Sequence, residues 1–285
     1  MQPHLSVLPG ESIDALAIRP DGTYVDATFG AGGHSALILA ALSPRGRLIA
    51  LDADPSAGAR AIADPRFTLV HANFRELAEQ LDALGIAQVD GVLFDLGVSS
   101  MQFDEAERGF SFRVAAPLDM RMDPTRGESA AAWLQSHDER EIADAIYQYG
   151  EERASRRIAR EIVARRDAGR PVVDTADLAA LVARVVRGGR IHPATRTFQA
   201  LRIAVNDELG ALRDGLDAAL ARTAAGGRIA AISFHSLEDR IVKHTFRDDP
   251  RARVVTRKPI VPSEDEVAAN PRARSAKLRV AEVVQ

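Results

Sequence analysis

Three aspartates, Asp26, Asp52 and Asp95, each end a short apolar run that has the length and composition of a buried β-strand. Such runs, separated by segments with helical spacing, predict parallel strands joined by crossover helices. The carboxyl ends of parallel strands meet at one edge of the sheet, which is where open α/β sheets bind their ligands. The sequence therefore predicts a ligand site at this edge with three carboxylates beside it.

A glycine-rich turn, Thr28-Phe-Gly-Ala-Gly-Gly-His34, follows the first of these aspartates. Glycine permits positive φ and close approach of the backbone to a ligand, and a helix that begins near Ser35 points its amides at the same place. The turn lacks the Gly-x-Gly-x-x-Gly spacing of dinucleotide-binding enzymes. Taken alone, it is compatible with a nucleotide-like ligand or with a purely structural turn.

The neighbouring strand ends favour a particular chemistry. Asp52 can accept hydrogen bonds from both hydroxyls of a ribose, and Phe74 can pack on an adenine ring or simply belong to the core. Asp95 can accept an N–H bond from an exocyclic amine and so localise the lone pair that attacks a methyl group. Each aspartate could instead start a turn. Their joint presence predicts a methyl-transfer site from Asp26 to His34, bounded by Asp52 and Asp95.

A polar segment, Ser233-Phe-His-Ser-Leu-Glu-Asp-Arg240, follows a fifth predicted strand. His235 could orient a substrate or act as a base, or it could be a structural histidine. Ser236 with Asp239 resembles a helix capping box. Ser233, His235 and Asp239 are close in sequence, but this closeness does not make a hydrolase triad. No His, Asp and Glu spacing suggests a metal site.

The elements that position these residues form an α/β core with an interruption. Five strands alternate with helical patterns as far as Asp95 and again from Arg228, and the tail adds two runs with strand character that are expected to pair antiparallel at the sheet edge. Between them we find no convincing buried strand: a loop-like stretch extends to Gly127, and helical patterns follow it. One apolar spacing then runs without a break from His192 to Gly226. We expect a Rossmann-like, mostly parallel seven-stranded sheet at 1–103 and 204–285, with a helical insertion at 104–203.

The composition is that of a globular protein of 285 residues, 46% hydrophobic and 27% charged, without cysteine. The N-terminus lacks the pattern of a signal peptide, and no apolar run approaches the length of a membrane span, so we expect a cytoplasmic protein with no membrane partner. The net charge is −3, yet residues 151–202 hold 12 Arg against six Asp or Glu. This segment is either a phosphate-binding surface or a solvated helical face.

The chain resembles one family closely, the bacterial ribosomal small-subunit RNA methyltransferase H family, also called MraW. The motifs that carry the resemblance span nearly the whole chain in order: Thr28-Phe-Gly-Ala-Gly-Gly-His-Ser35, Asp95-Leu-Gly-Val-Ser-Ser100, Arg108-Gly-Phe-Ser-Phe112, Pro117-Leu-Asp-Met-Arg-Met-Asp123, Arg196-Thr-Phe-Gln-Ala-Leu-Arg202, Ser233-Phe-His-Ser-Leu-Glu-Asp-Arg240 and Asn270-Pro-Arg-Ala-Arg-Ser-Ala-Lys-Leu-Arg279.

The resemblance implies a class I fold and S-adenosyl-L-methionine as cofactor. It also implies methyl transfer to N4 of one cytidine in 16S rRNA near the ribosomal P site. The substrate could be naked rRNA or the assembled small subunit, and a structured target favours the subunit, because the nucleotide must be presented and unstacked. The helical insertion is expected to help bind RNA, and the oligomeric state stays open. Asp95 is the implied catalytic residue, and the implied cofactor contacts are Gly32, Gly33, His34, Asp52, Phe74, Asp95 and Gln102.

One feature of other amino-methyltransferases is missing. Many of them carry Asp/Asn-Pro-Pro-aromatic after the fourth strand, whereas this chain has Asp95-Leu-Gly-Val98. The aromatic platform for the cytosine must therefore come from elsewhere, and Phe110, Phe112 and Phe234 are the candidates. For the RNA backbone, the spacing predicts one shared helical face for Arg153, Arg157 and Arg160, and another for Arg196, Gln199 and Arg202.

Two other functions compete with this interpretation. A nicotinamide-dependent oxidoreductase could use the same strand–glycine–helix site, although the glycine spacing argues against it. A non-catalytic ribosome-assembly factor could also retain the crevice without transferring a methyl group.

Overall fold

The computed structural model describes residues 5–98, 100–186 and 191–284, and for Ser100 and Asp104 only the backbone. The chain divides into two compact units, the first formed by Met1–Gly97 with Leu209–Gln285 and the second by Val98–Glu208. Residues 98–103 and 204–208, which we had expected in the core, fall in the second unit.

The first unit is built on one seven-stranded sheet in the order β3-β2-β1-β4-β5-β7-β6. Neighbouring strands from β3 to β5 are parallel, and β7 is antiparallel to both β5 and β6. The predicted mostly parallel sheet with an antiparallel pair at its edge is confirmed. The strands are β1 (Thr23–Asp26), β2 (Arg47–Asp52), β3 (Phe67–His71), β4 (Val89–Asp95), β5 (Thr223–Ser233), β6 (Ala252–Val254) and β7 (Lys277–Val283).

Alternating side chains of the strands build a core on each face of this sheet. Successive residues of a strand point to opposite faces, so Val25 and Phe94 lie in one buried apolar cluster while Tyr24 and Leu93 lie in the other. Both faces are therefore covered, as a parallel sheet requires. The helices of this unit are α1 (Pro9–Leu16), α2 (Gly33–Ala41), α3 (Leu77–Ala83), α10 (Glu208–Arg222, whose first residue ends the second unit), α11 (Ser236–Asp248) and α12 (Glu264–Ala269).

The second unit is helical, with its own apolar cluster around Trp133, Ile146 and Leu201. Side-chain caps fix several helix starts: Ser129, Asp138 and Asp174 each accept a hydrogen bond from a backbone amide of the first turn. The helices are α4 (Ser100–Asp104), α5 (Ala130–Ser136), α6 (Glu139–Gly150), α7 (Ser155–Asp167), α8 (Thr175–Val185) and α9 (Thr195–Asn206).

The apolar spacing expected to run unbroken to Gly226 belongs to two helices. Asp207, between α9 and α10, has a φ of 46°, a left-handed conformation that ends the first helix although the apolar spacing continues across it. The second helix stops at Arg222, so Gly226 and Gly227 lie inside β5. The connection between β2 and β3, where a crossover helix is expected, contains only a 3₁₀ turn at Pro55–Arg60.

No helix in the described ranges is both long enough and apolar enough to cross a membrane.

Candidate active site

The turn after β1 is held by Asp26, whose side chain is fully buried. Its carboxylate accepts hydrogen bonds from the Ser35 hydroxyl at 2.7 Å and from the Thr28 amide at 3.2 Å. Burial raises the pKa of Asp26, and these hydrogen bonds oppose that rise. Asp26 thus joins the strand end, the turn and the first turn of α2.

The glycines of the turn are required by its geometry. Gly32 has a φ of +80°, and a Cβ there would lie 2.9 Å from the ring of Phe29. A Cβ at Gly33 would lie 2.0 Å from the hydroxyl of Ser6. The positive φ requires glycine at position 32, whereas a Cβ at position 33 would need the Ser6 hydroxyl to move. The two glycines leave the backbone at the start of α2 without side chains.

Asp52 is the last residue of β2 and lies beside the glycine turn. Its two carboxylate oxygens accept the amides of Gly30 and Asp54, each at 2.8 Å. Each oxygen keeps a further lone pair for a ligand hydroxyl. Burial raises the pKa of Asp52 to about 6, and the two amides oppose this rise. Asp52 therefore both fixes the glycine turn and presents an acceptor pair beside it.

Asp95 ends β4, the strand next to β1. Its amide donates to the Thr28 hydroxyl at 2.6 Å, which ties the strand end to the glycine turn. One carboxylate oxygen, Oδ1, is buried and has no hydrogen-bond partner in the part of the chain that the structure describes. An unsatisfied buried carboxylate oxygen is costly, so the site contains an acceptor that a bound N–H or O–H group would satisfy.

His34 supports the other oxygen of Asp95. Its Nδ1 lies 3.4 Å from Asp95 Oδ2, and its Nε2 lies 3.0 Å from the Val7 carbonyl. Burial alone would lower the pKa of His34, but the hydrogen bond and charge of Asp95, with the charge of Asp26, raise it to about 9. The partner Val7 was missed from the sequence because nothing in its N-terminal segment marks it as near the crevice.

The first unit thus brings together Gly32, Gly33, His34, Asp52 and Asp95. Phe74, in the turn after β3, is half-buried and packs edge-on against Phe94 with ring centroids 5.7 Å apart. Gln102 is buried on α4 and belongs to the second unit.

The capping box after β5 is formed by other residues than those predicted. His235, rather than Ser236, is the N-cap of α11, and its partner in the capping box is Glu238 rather than Asp239. Its Nδ1 accepts the Glu238 amide, and its Nε2 lies 3.2 Å from Glu238 Oε1. Asp239 instead binds Arg279 at 2.6 Å. A histidine ring nitrogen replaces the usual hydroxyl acceptor, which residue preferences for caps do not predict.

The three candidate aromatic platforms have different surroundings. Phe110 is buried and packs against Phe103, and Phe112 stacks on His192 with ring centroids 4.5 Å apart. Both belong to the apolar cluster of the second unit. Phe234 is half-buried, follows β5 directly, and lies 3.7 Å from the position of a Cβ on Gly97.

The arginines of the insertion also separate into two groups. Arg153 and Arg157 are exposed and make no ion pair among the described residues, whereas the exposed Arg160 lies 3.8 Å from Glu139. On α9, the buried pair Arg202–Glu208 is bidentate at 2.8 and 2.9 Å, and Gln199 donates to the Tyr149 carbonyl. Gln199 and Arg202 of the predicted helical face therefore already make hydrogen bonds to other residues of the second unit. Two further arginines of the basic segment, at 187 and 190, lie outside the described residues.

Comparison with known proteins agrees with this geometry. The family model described as "MraW methylase family" matches residues 1–284. The chain is 56% identical to ribosomal RNA small subunit methyltransferase H from Methylibium petroleiphilum, over 98% of this chain and 95% of that protein. It is also 56% identical to the protein of the same name from Leptothrix cholodnii, over 98% of this chain and 93% of that one.

Among solved structures, an rRNA methylase from Streptococcus thermophilus is similar with a TM-score of 0.47 and 13% identity, over 96% of this chain and 95% of that chain. The whole-chain family match and the close relatives contradict the oxidoreductase alternative. The chain therefore belongs to the MraW methylase family, a family of S-adenosylmethionine-dependent methyltransferases.

Proposed function

We propose that this chain transfers the methyl group of S-adenosyl-L-methionine to N4 of a cytidine in the 16S rRNA of the small ribosomal subunit. The observation that carries the proposal is Oδ1 of Asp95 at the end of β4, which is buried and has no hydrogen-bond partner among the described residues. The names of the relatives, all ribosomal RNA small subunit methyltransferase H, support small-subunit rRNA as the substrate. Such a substrate would place the activity in the cytoplasm.

The donor would lie along the crevice at the ends of β1, β2 and β4. The bare backbone at Gly32 and Gly33 accepts a ligand at close range, and Asp52 offers acceptors to the two ribose hydroxyls. Phe74 would pack on the adenine ring, while His34 and Asp95 complete the proposed donor site in the first unit. A contact from Gln102, which belongs to the second unit, stays a prediction. The donor supplies an electrophilic methyl group on a sulfonium sulfur.

Asp95 would act on the acceptor. The exocyclic amine of cytosine is a weak nucleophile because its lone pair is delocalised into the ring. The unpartnered Oδ1 would accept one N–H of this amine, localise the lone pair and orient it toward the methyl group. His34 Nδ1, 3.4 Å from Oδ2, holds that oxygen and so fixes the plane of the carboxylate.

Phe234 is the strongest of the three candidate platforms for the cytosine ring. Asp95 pairs with Ile232 in the sheet, so Phe234 follows two residues beyond the partner of the proposed catalytic residue. Phe110 and Phe112 are already packed within the second unit. We expect Phe234→Ala to raise the KM for rRNA and lower kcat while donor affinity is kept, and Phe112→Ala to lower stability instead.

The helical insertion would hold the RNA backbone through Arg153 and Arg157, which are exposed and without ion pairs among the described residues. A folded rRNA target favours the assembled subunit as the substrate, because one nucleotide must be presented and unstacked.

The proposed reaction is tested with small subunits that lack this modification. Purified protein is incubated with them and methyl-labelled S-adenosylmethionine, and the rRNA is digested to nucleosides for mass spectrometry. N4-methylcytidine at one position is the expected product. Label on another atom or in another RNA would contradict the proposed substrate, and no transfer to any rRNA would favour the non-catalytic assembly factor.

A further inference from the structure

A cavity of about 260 Å³ opens in the first unit between α11 and the edge pair β6–β7. Phe246 and Val254 give it apolar walls, and four cations line it: Lys243, Arg247, Arg257 and Arg279. None of these residues belongs to the crevice of Asp52 and Asp95. The combination of apolar wall and cationic rim matches the two parts of a nucleotide, an aromatic base and an anionic phosphate.

The four cations differ in whether they already make ion pairs within the protein. Arg279 is nearly buried and binds Asp239, and Arg247 binds Asp248 at 2.6 and 2.8 Å. Lys243 and Arg257 are exposed and make no ion pair with any described residue. Two positive charges at the mouth of the cavity are thus left for an outside anion.

Thr256 adds a directed donor to this rim. Its hydroxyl oxygen accepts the Val280 amide at 2.9 Å, so its proton is available to another acceptor. The cavity therefore offers two unpaired charges and one hydroxyl proton, which is the donor set that phosphate oxygens accept.

The strand order and register of the sheet give the approximate distance between the cavity and the crevice. β6 is three strands from β4 in the sheet, which is about 15 Å at the usual strand spacing. Val254 of the cavity pairs with Ala281, which pairs with Ile229, four residues or about 13 Å before the end of β5. The cavity thus lies on the side of Asp95 away from the proposed ribose site, within reach of a strand whose target nucleotide occupies the crevice.

We propose that this cavity, defined by Lys243, Phe246, Val254, Thr256 and Arg257, binds a nucleotide of the RNA substrate a few residues from the target cytidine. The base lies against Phe246 and Val254, and its phosphodiester is held by Lys243, Arg257 and the Thr256 hydroxyl. This inference rests on the proposed function, because the strand that reaches the cavity is the strand that carries the methylated cytidine.

The test compares Lys243→Glu and Arg257→Glu with Arg47→Glu in the full-length protein. Arg47 is a matched control, since it is exposed, lacks an ion pair among the described residues, and lies at the opposite end of the strands. Binding to unmodified small subunits is measured at several salt concentrations. Calorimetry with S-adenosylmethionine checks the donor site, and urea unfolding checks stability.

We expect each cavity variant to bind small subunits about tenfold more weakly than the Arg47→Glu control, with a salt slope lower by about 1 for the lost phosphate contact. The affinity for S-adenosylmethionine and the stability stay at the values of the control variant. Cytidine monophosphate is expected not to compete with small subunits at micromolar concentration. Affinity and slope equal to the control would overturn the cavity site. Competition by the free mononucleotide at micromolar concentration would instead indicate a small-molecule site and would also overturn it.

The outcomes for cavity and function remain separable. Wild-type protein that forms N4-methylcytidine, while the cavity variants match the control, refutes only the cavity. Wild-type protein that methylates no rRNA refutes the proposed function itself.

Discussion

His34 and Asp95 form a buried pair in which His34 Nδ1 lies 3.4 Å from Asp95 Oδ2 while His34 Nε2 faces the Val7 carbonyl at 3.0 Å. A carbonyl oxygen only accepts hydrogen bonds, so Nε2 must carry a proton. The opposite nitrogen faces a carboxylate, which favours a second proton there. The pair is therefore an imidazolium and a carboxylate, and its second carboxylate oxygen has no hydrogen-bond partner in the described part of the chain.

This pairing predicts that stability depends on pH through His34. The pKa of His34 is about 9 in the folded protein and 6.5 in the reference state. Because the folded pKa is raised, the stabilisation is complete below pH 6.5 and is lost as pH rises through about 9. We expect His34→Asn to lower the free energy of unfolding by a few kcal/mol at pH 6.5 and by much less at pH 9.5. Urea unfolding of both proteins at these pH values measures the difference; His244→Asn, at an exposed histidine, is the control. A difference that does not change with pH would contradict the ion pair.

Donor affinity should depend on the ionisation of Asp52. Its pKa of about 6 means that the carboxylate, which accepts the ribose hydroxyls, is progressively protonated as pH falls through that value. Calorimetry should therefore show weaker S-adenosylmethionine binding at pH 5 than at pH 7.5. Asp52→Asn should bind about 10- to 100-fold more weakly at pH 7.5, because hydrogen bonds to charged groups are each worth about 1.5–3 kcal/mol. It should also lose the pH dependence, whereas the exposed Asp14→Asn should behave as wild type.

The glycine turn should tolerate no side chain at Gly32. Gly32→Ala places a Cβ 2.9 Å from the Phe29 ring on a backbone with φ of +80°. We expect a loss of about 1–3 kcal/mol in the free energy of unfolding and weaker donor binding. Gly58→Ala is the matched control, since nothing lies within 4 Å of its Cβ position. Equal stability of the two variants would show that the turn is not constrained as described.

The insertion should contribute phosphate contacts through Arg153 and Arg157. The double variant Arg153→Glu/Arg157→Glu should bind small subunits more weakly and with a smaller salt slope, lower by about 1 for each lost contact. The control is Arg184→Glu on α8, which reverses the charge of another exposed arginine in the same unit. If binding by the double variant matches that of Arg184→Glu at every salt concentration, these arginines form only a solvated surface.

Much of the fold follows from local sequence patterns. The strands ending at Asp26, Asp52 and Asp95 were predictable because apolar runs and the helical spacing between them define parallel units, and parallel strand ends share an edge. The edge pair β6–β7 was predictable from two late runs with strand character. These signals also placed the carboxylate of Asp95, which we propose to be catalytic, beside the glycine turn.

The remaining features depend on contacts that a local pattern does not contain. Asp207 breaks a helix in the middle of continuous apolar spacing, and His235 takes a cap position where hydroxyl and carboxylate residues are preferred. The contact between His34 and Val7 joins the turn to a distant segment. The burial of Phe110 and the stacking of Phe112 on His192 likewise arise from tertiary packing, so the sequence could not separate them from Phe234.

Single-turnover methyl transfer by Asp95→Asn is the most direct test of the central claim that Asp95 Oδ1 orients the cytosine amine. Pre-bound small subunits lacking the modification are mixed with saturating labelled S-adenosylmethionine, and N4-methylcytidine is followed with time. Asparagine keeps the shape but removes the charge, so we predict a rate at least about 100-fold below wild type with rRNA affinity retained. A rate within about threefold of wild type at saturating donor would contradict the assignment of Asp95.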